Sequence, residues 1–314
     1  MTRPLVSVGM PVLNGEKWIC RSLDSLLSQD YPNVEIIISD NASTDATSAI
    51  CAKYIASGKN IRVIRQERVI GIVENFRAVL GPARGEYFMW AAVDDSWDHT
   101  FISRLADKLE NDERYAVAQS GALNLAESDL TKKLGGVRFT GRNDPECCSM
   151  LRLTNMIVSP LKYNLYMYGL FRRGLLAEAF AHFPGVPSSD RWFLLQFPLA
   201  NYKVAYVDAP LYLRTIREEP VYLRYQNDAY SEQVERAGGK WFDFGALPAV
   251  KKMLEESTLT AGCSETIKAF VLFQLAIGRV KLGLRLMVKF LIMKILPQKT
   301  ALCIVGKARN RSFD

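Results

Sequence analysis

The feature that most constrains this chain is a rhythm in its first 110 residues. Short, almost continuously apolar runs recur: "LVSVGM" at 5–10, "VEIIIS" at 34–39, "IRVIR" at 61–65 and "GEYFMWAAV" at 85–93. A strand with one face in water alternates apolar and polar side chains, whereas a run apolar at every position is covered on both faces. Each run is separated from the next by a stretch with helical spacing. Strands joined through helices run parallel, since only antiparallel neighbours can be joined by a tight turn. The expectation is an α/β fold, a doubly wound and mostly parallel sheet.

The first helix carries Trp18, Leu23, Leu26 and Leu27 on one face and stops before Pro32. The second covers "STDATSAICAKYIAS", with Ser43 or Thr44 as its N-cap, and the third runs from about Val73 to Leu80. The helix "FISRLADKLEN" and the strand "YAVAQSG" extend the unit, and the polar, Gly-rich residues 121–150 read as a loop. "NLYMYGLFRRGLLAEAF" reads as strand then helix, "SSDRWFLLQFPLA" as a helix opening with Asp190, and "YKVAYVDAPLYLR" as a last extended segment. The pattern changes past Arg217. Residues 1–217 are therefore expected to form one domain, and 218–314 a helical, basic extension.

Charge supports that division. The chain carries +7, yet residues 251–314 alone hold 12 Lys/Arg against 4 Asp/Glu. A basic bias confined to the tail points to an anionic partner for the tail, a membrane surface or nucleic acid, and of these the membrane surface, with no nucleic acid, is the expectation. Six scattered cysteines without a C-x-x-C pair read as reduced thiols, which excludes a disulfide framework or a zinc site. "MTRPLVSVGMPVLNG" runs straight into a strand with no secretory pattern, so a cytoplasmic protein is expected.

Doubly wound sheets bind ligands at the carboxyl ends of their strands. There is no G-x-G-x-x-G after the first strand and no G-x-x-x-x-G-K-[ST], which disfavours a dinucleotide fold and excludes a P-loop. Asp40 ends the second strand. A carboxylate there either caps the turn "NASTD" or accepts a hydrogen bond from a base imino group or a ribose hydroxyl. Asp45 reads as a first-turn helix charge, and Asn14 and Gly15 as turn residues. "AAVDDSW" ends the fourth strand in two adjacent carboxylates, Asp94 and Asp95. They suit a hard cation, Mg²⁺ or Mn²⁺, completed by water and substrate phosphates, or else a solvated turn. Asp98, ahead of "HTFISRL", reads as an N-cap.

In order, these blocks resemble family 2 glycosyltransferases of the GT-A fold. "VSVGMPVLNGEKWICRSLDSLLSQDYPNVEIIISDNASTDAT" looks like the family's opening, and "ARGEYFMWAAVDDSW" like its metal block. The likeness is close over about residues 5 to 110 and looser to about 217. It implies inverting transfer of a sugar from a nucleoside-diphosphate donor, most simply a UDP-sugar, to a saccharide or lipid-linked acceptor in cell-surface polysaccharide or glycolipid assembly. By motif position Pro11, Val12 and Asn14 line the nucleotide pocket and Asp40 meets the base. Asp94 serves the nucleotide and Asp95 the Mn²⁺ or Mg²⁺. Asp190 stands where the family places its general base, although Ser189 precedes it where a second acidic residue is common. Arg191 and Trp192 fall on the acceptor side, and Arg214 on the phosphates. Many relatives carry Arg-x-His here; this chain has Ile216 at the His position. His99 and His182 read as structural. A GT-A nucleotide-binding module without turnover, and a nucleotidyltransferase, are the competing classes. The second would need a Gly-rich basic loop that "PVLNGEKW" does not provide.

Residues 266–298 are strongly apolar, but their longest uncharged run, 269–278, is too short to span a bilayer. Lys281, Arg285 and Lys289 recur every fourth residue, forming the cationic stripe of an interfacial helix. Contact with the cytoplasmic face of a membrane is expected. A helix packed on the domain, or on a second copy of the chain in a homodimer, is the other reading.

Overall fold

The computed structural model describes residues 2–137, 167–183, 196–200, 202–217 and 246–261. Four strands and three helices alternate first: β1 (Val6–Val12), α1 (Ile19–Leu27), β2 (Val34–Asp40), α2 (Thr47–Ala56), β3 (Ile61–Arg65), α3 (Ile72–Leu80) and β4 (Tyr87–Trp90). Then come β5 (Ser96–Trp97), α4 (Phe101–Asn111), β6 (Tyr115–Ala126), β7 (Lys133–Val137), β8 (Leu170–Arg172), α5 (Arg173–Ala181), α6 (Gln196–Leu199), β9 (Lys203–Ile216) and α7 (Ala246–Glu256).

The strands lie in one sheet, in the order β3-β2-β1-β4-β8-β6-β9-β5, with β7 paired to β6. β3, β2, β1 and β4 are mutually parallel, as the rhythm required, and β6 runs parallel to β9. Between these two halves lies β8, antiparallel to both neighbours. The α/β expectation is met, with one antiparallel strand wedged between two parallel sets.

Both faces are buried for the reason the apolar runs implied. Along β4, Tyr87 and Met89 enter the core formed with α1 and α4, where Leu23, Leu26, Phe101, Ile102 and Leu105 are buried. Phe88 and Trp90 point the other way, and Trp90 packs on Phe76, Phe171 and Phe180. Gly9 is where β1 admits no side chain: a Cβ there would stand 2.5 Å from Phe88 and 2.7 Å from Val79 of α3.

Three local expectations change. α2 begins at Thr47, because the Asp45 carboxylate takes the Thr47 N–H and hydroxyl, so neither Ser43 nor Thr44 is its N-cap. The Asp98 carboxylate accepts the Thr100 N–H and hydroxyl, while the N-cap position of α4 falls on Thr100. Residues 121–126 and 133–137 form a hairpin, β6 with β7, inside the stretch read as loop. Their small residues satisfy backbone groups through the sheet ladder, which composition alone does not reveal.

Residues 246–261 bond back to the body of the fold. The Ser257 hydroxyl donates to the Gln196 side chain, and the Thr258 hydroxyl to Glu178. Met253 and Leu254 are buried. Among the described residues no helix is long and apolar enough to cross a membrane. The segment 266–298 lies outside the described residues.

Candidate active site

The carboxyl ends of β1, β2 and β4 come together at one edge of the sheet, where Val12 pairs with Asp40 and Gly9 with Trp90. The loops leaving β1 and β2 are laced to each other. Asn14 adopts a left-handed backbone (φ 51°). Its N–H donates to Ser43 Oγ at 2.9 Å, and its Oδ1 accepts the Thr44 N–H at 2.9 Å. Gly15 N–H donates to Thr47 Oγ1, and Glu16 N–H to Asp45. Asn14 thus joins the two loops. Pro11 is half-buried, whereas Val12 has its side chain in the core and its carbonyl on the Asn41 N–H.

Asp40 is fully buried. Its carboxylate accepts the Ser43 N–H at 2.9 Å and the Ser48 hydroxyl, and meets Arg65 at 2.5 Å. Burial alone would raise its pKa, but these donors and the Arg65 charge outweigh it, and the group is held below the usual carboxylate range. Its described partners are those expected of a turn carboxylate.

The adjacent aspartates differ sharply. Asp95 is 4% exposed, with Oδ1 on the Thr215 N–H at 2.8 Å and Oδ2 on the Tyr212 hydroxyl. Burial, then the neighbouring Asp94 charge, push its pKa up to about 7. Tyr212 stacks between Trp97 and Tyr168, and burial raises its phenol well above the ordinary value. Asp94 keeps a side-chain exposure of 20%, and its Oδ2 lies 2.5 Å from Arg217 Nε. Arg21, from α1, donates to the Asp94 carbonyl and, at 2.6 Å, to the Thr215 hydroxyl, binding the turn after β4 to the end of β9. Half-buried Arg214, in register with Asn124 of β6, adds positive charge beside Asp95.

The cations share a floor. The Lys17 ammonium lies 4.4 Å from the Trp18 ring centre, and the Arg21 and Arg217 guanidiniums 5.6 Å each. A carboxylate with a fifth of its side chain exposed, beside cations that rest on an aromatic ring, suits a strongly anionic ligand. Sequence reasoning missed Arg21, Arg217, Tyr212 and Thr215. Arg217 stands one residue beyond Ile216, which the motif comparison singled out; Arg21 had no signal, being one charged residue on an exposed-looking helix. His99 is largely exposed near Asp98, and His182 lies 4.0 Å from Glu256. Among the described residues no three His, Cys, Asp or Glu side chains converge as a metal site. Asp190, Arg191 and Trp192 lie outside the described residues.

A mixed sheet with an acidic pair closing a parallel half is the architecture of GT-A sugar-nucleotide enzymes. Residues 7–173 match the family model described as Glycosyl transferase family 2, and the chain belongs to that family. It is a glycosyltransferase. It is 27% identical over 218 residues to the glycosyltransferase GlyG of Streptococcus pneumoniae serotype 4, covering 67% of this chain and 70% of that one. The fold is similar to S. aureus TarS 1-349 in complex with UDP-GlcNAc (TM-score 0.63, 20% identity, 87% of this chain and 71% of that one). It is also similar to the mannosyltransferase PcManGT of Pyrobaculum calidifontis in complex with GDP-Man and Mn²⁺ (TM-score 0.54, 16% identity, 99% and 81%).

Proposed function

We propose that this chain transfers a sugar, with inversion, from a nucleoside-diphosphate donor to a hydroxyl of a saccharide or lipid-linked acceptor, in cell-surface polysaccharide or glycolipid assembly. The observation that carries this is Asp94, one-fifth exposed and held by Arg21 and Arg217, which rest with Lys17 on Trp18 at the carboxyl edge of the sheet. That edge is where α/β sheets take their ligands. The solved neighbours named above hold UDP-GlcNAc and GDP-Man, which supports the donor class.

The residues fit a hard divalent cation. Mg²⁺ or Mn²⁺ in such sites uses one or two carboxylates and fills its remaining positions with phosphate oxygens and water. Asp94 has the exposure for this, whereas both oxygens of Asp95 are occupied by Tyr212 and Thr215. We therefore assign the cation to Asp94 and give Asp95 the task of fixing the turn. When bound, the cation would offset charge developing on the departing diphosphate. Arg21 and Arg217 add positive charge on the same side, and Arg214 supports it through Asp95. Asp40, with Pro11 and the β1–α1 loop, forms the wall for the base, and Asn14 holds that wall together.

The acceptor hydroxyl must lose its proton as its oxygen attacks the anomeric carbon and the C–O bond to the diphosphate breaks. Asp190 is assigned as the base, with Arg191 and Trp192 beside it. The test is transfer and donor hydrolysis from a nucleotide-sugar panel with Mn²⁺, on the wild type and on Asp190→Asn. A lost general base costs on the order of a hundred- to ten-thousand-fold in rate. Donor affinity should stay within about twofold, since a group on the acceptor side does not touch the donor phosphates. Near-normal turnover of Asp190→Asn would remove it from the chemistry, and inactivity of the wild type on every donor would sink the proposal itself.

A further inference from the structure

We propose that Arg217 is an internal cation that competes with the divalent metal for Asp94 and passes to the donor diphosphate when the metal arrives. The inference rests on the donor class proposed above and deepens it. Arg217 is nine-tenths buried, its Nε 2.5 Å from Asp94 Oδ2. Yet that Nε–H has no hydrogen-bond partner, because it does not point along the contact. The pair is thus charge against charge without a directed bond. A buried N–H left without an acceptor favours any ligand oxygen that can reach it.

Charge bookkeeping gives the direction. A guanidinium and a divalent cation cannot both sit within contact distance of one carboxylate without strong mutual repulsion. Arg21 cannot take the place of Arg217, because it is committed to the Asp94 carbonyl and the Thr215 hydroxyl. Lys17 is held by Glu127 at 3.0 Å. Metal entry therefore displaces Arg217, and the diphosphate that accompanies the metal is the nearest new acceptor. Guanidinium forks suit phosphate oxygens. Metal binding without nucleotide is thereby suppressed, and metal and donor bind cooperatively.

The test uses the full chain and two probes: Mn²⁺ alone, followed by EPR, and UDP or GDP at saturating Mn²⁺, followed by calorimetry. In Arg217→Gln, Mn²⁺ alone should bind at least about tenfold tighter than in the wild type, because a competing unit charge has gone. Arg217→Lys keeps the charge and should bind Mn²⁺ as the wild type does. At saturating Mn²⁺, Arg217→Gln should bind the diphosphate roughly tenfold more weakly, having lost a charge-assisted contact. Unchanged Mn²⁺ affinity in Arg217→Gln, or equal tightening in the Lys variant, overturns the competition. Unchanged diphosphate affinity in Arg217→Gln overturns the transfer to phosphate. If the wild type binds neither UDP nor GDP with or without Mn²⁺, the donor class fails, and the Mn²⁺ arm still decides the competition.

Discussion

At the scale of single residues, the pair Asp94 and Asp95 shows how neighbours in sequence acquire opposite roles. Both lie in the turn after β4, where the Asp95 N–H bonds the Ala92 carbonyl, and that turn sends one carboxylate inward to Tyr212 and Thr215 while the other keeps some exposure. In an unfolded chain an aspartate titrates near ~3.9, whereas folded Asp95 does so at about 7. Between those values the folded protein keeps a proton that the unfolded chain has released. Stability therefore falls as pH rises from about 4 to about 7, and levels off above that. Asp95→Asn cannot ionise, and can still accept the Thr215 N–H. In chelator, its thermal midpoint should vary less than that of the wild type between pH 5 and pH 8, and should exceed it at pH 8. Parallel pH profiles for the two proteins would assign the proton to another group.

At the scale of elements, the site depends on a tie between segments far apart in the chain. Arg21 of α1 binds the carbonyl after β4 and the Thr215 hydroxyl at the end of β9. Thr215 in turn presents its N–H to Asp95. Arg21→Met keeps much of the side-chain bulk and its packing on Trp18 but removes both bonds. Hydrogen bonds from a charged donor contribute about 1.5–3 kcal/mol each, and some of that returns because a half-buried guanidinium no longer needs desolvating. A net loss of about 2 kcal/mol in urea unfolding is expected, and donor affinity should weaken as the turn carrying Asp94 loosens. Full stability with weakened donor binding would make Arg21 a ligand contact and not a brace.

At the scale of the whole molecule, charge is divided between an almost neutral body and a basic tail. The body has its own core on both faces of the sheet, and we propose that the basic tail serves contact with an anionic membrane surface. The stripe of Lys281, Arg285 and Lys289 is electrostatic, and surface electrostatics are screened at physiological salt over about 8 Å. Truncation before Thr266 should release the protein from anionic liposomes in a flotation assay, and raised salt should do the same to the full chain. Salt-independent failure of the full chain to float would instead favour a helix packed on protein, and sizing would then separate self-packing from a homodimer.

The amino-acid sequence by itself determined the strand–helix rhythm, the parallel half of the sheet and the positions of the acidic residues at its carboxyl edge. These follow from local periodicity: a run apolar on both faces must be covered on both faces, and the apolar run gives way to polar residues at Asp40 and at the Asp94–Asp95 pair. The family resemblance was legible in the same blocks. Only the tertiary structure decided the rest. β8 enters antiparallel between β4 and β6, a pairing of segments more than 80 residues apart along β4 that no local pattern records. Arg217 meets Asp94 across more than 120 residues of sequence, and Tyr212 and Thr215 close on Asp95 in the same way. The physical reason is that a charge in a low-dielectric edge is settled by whichever partner the fold delivers, and that delivery depends on the path of the whole chain.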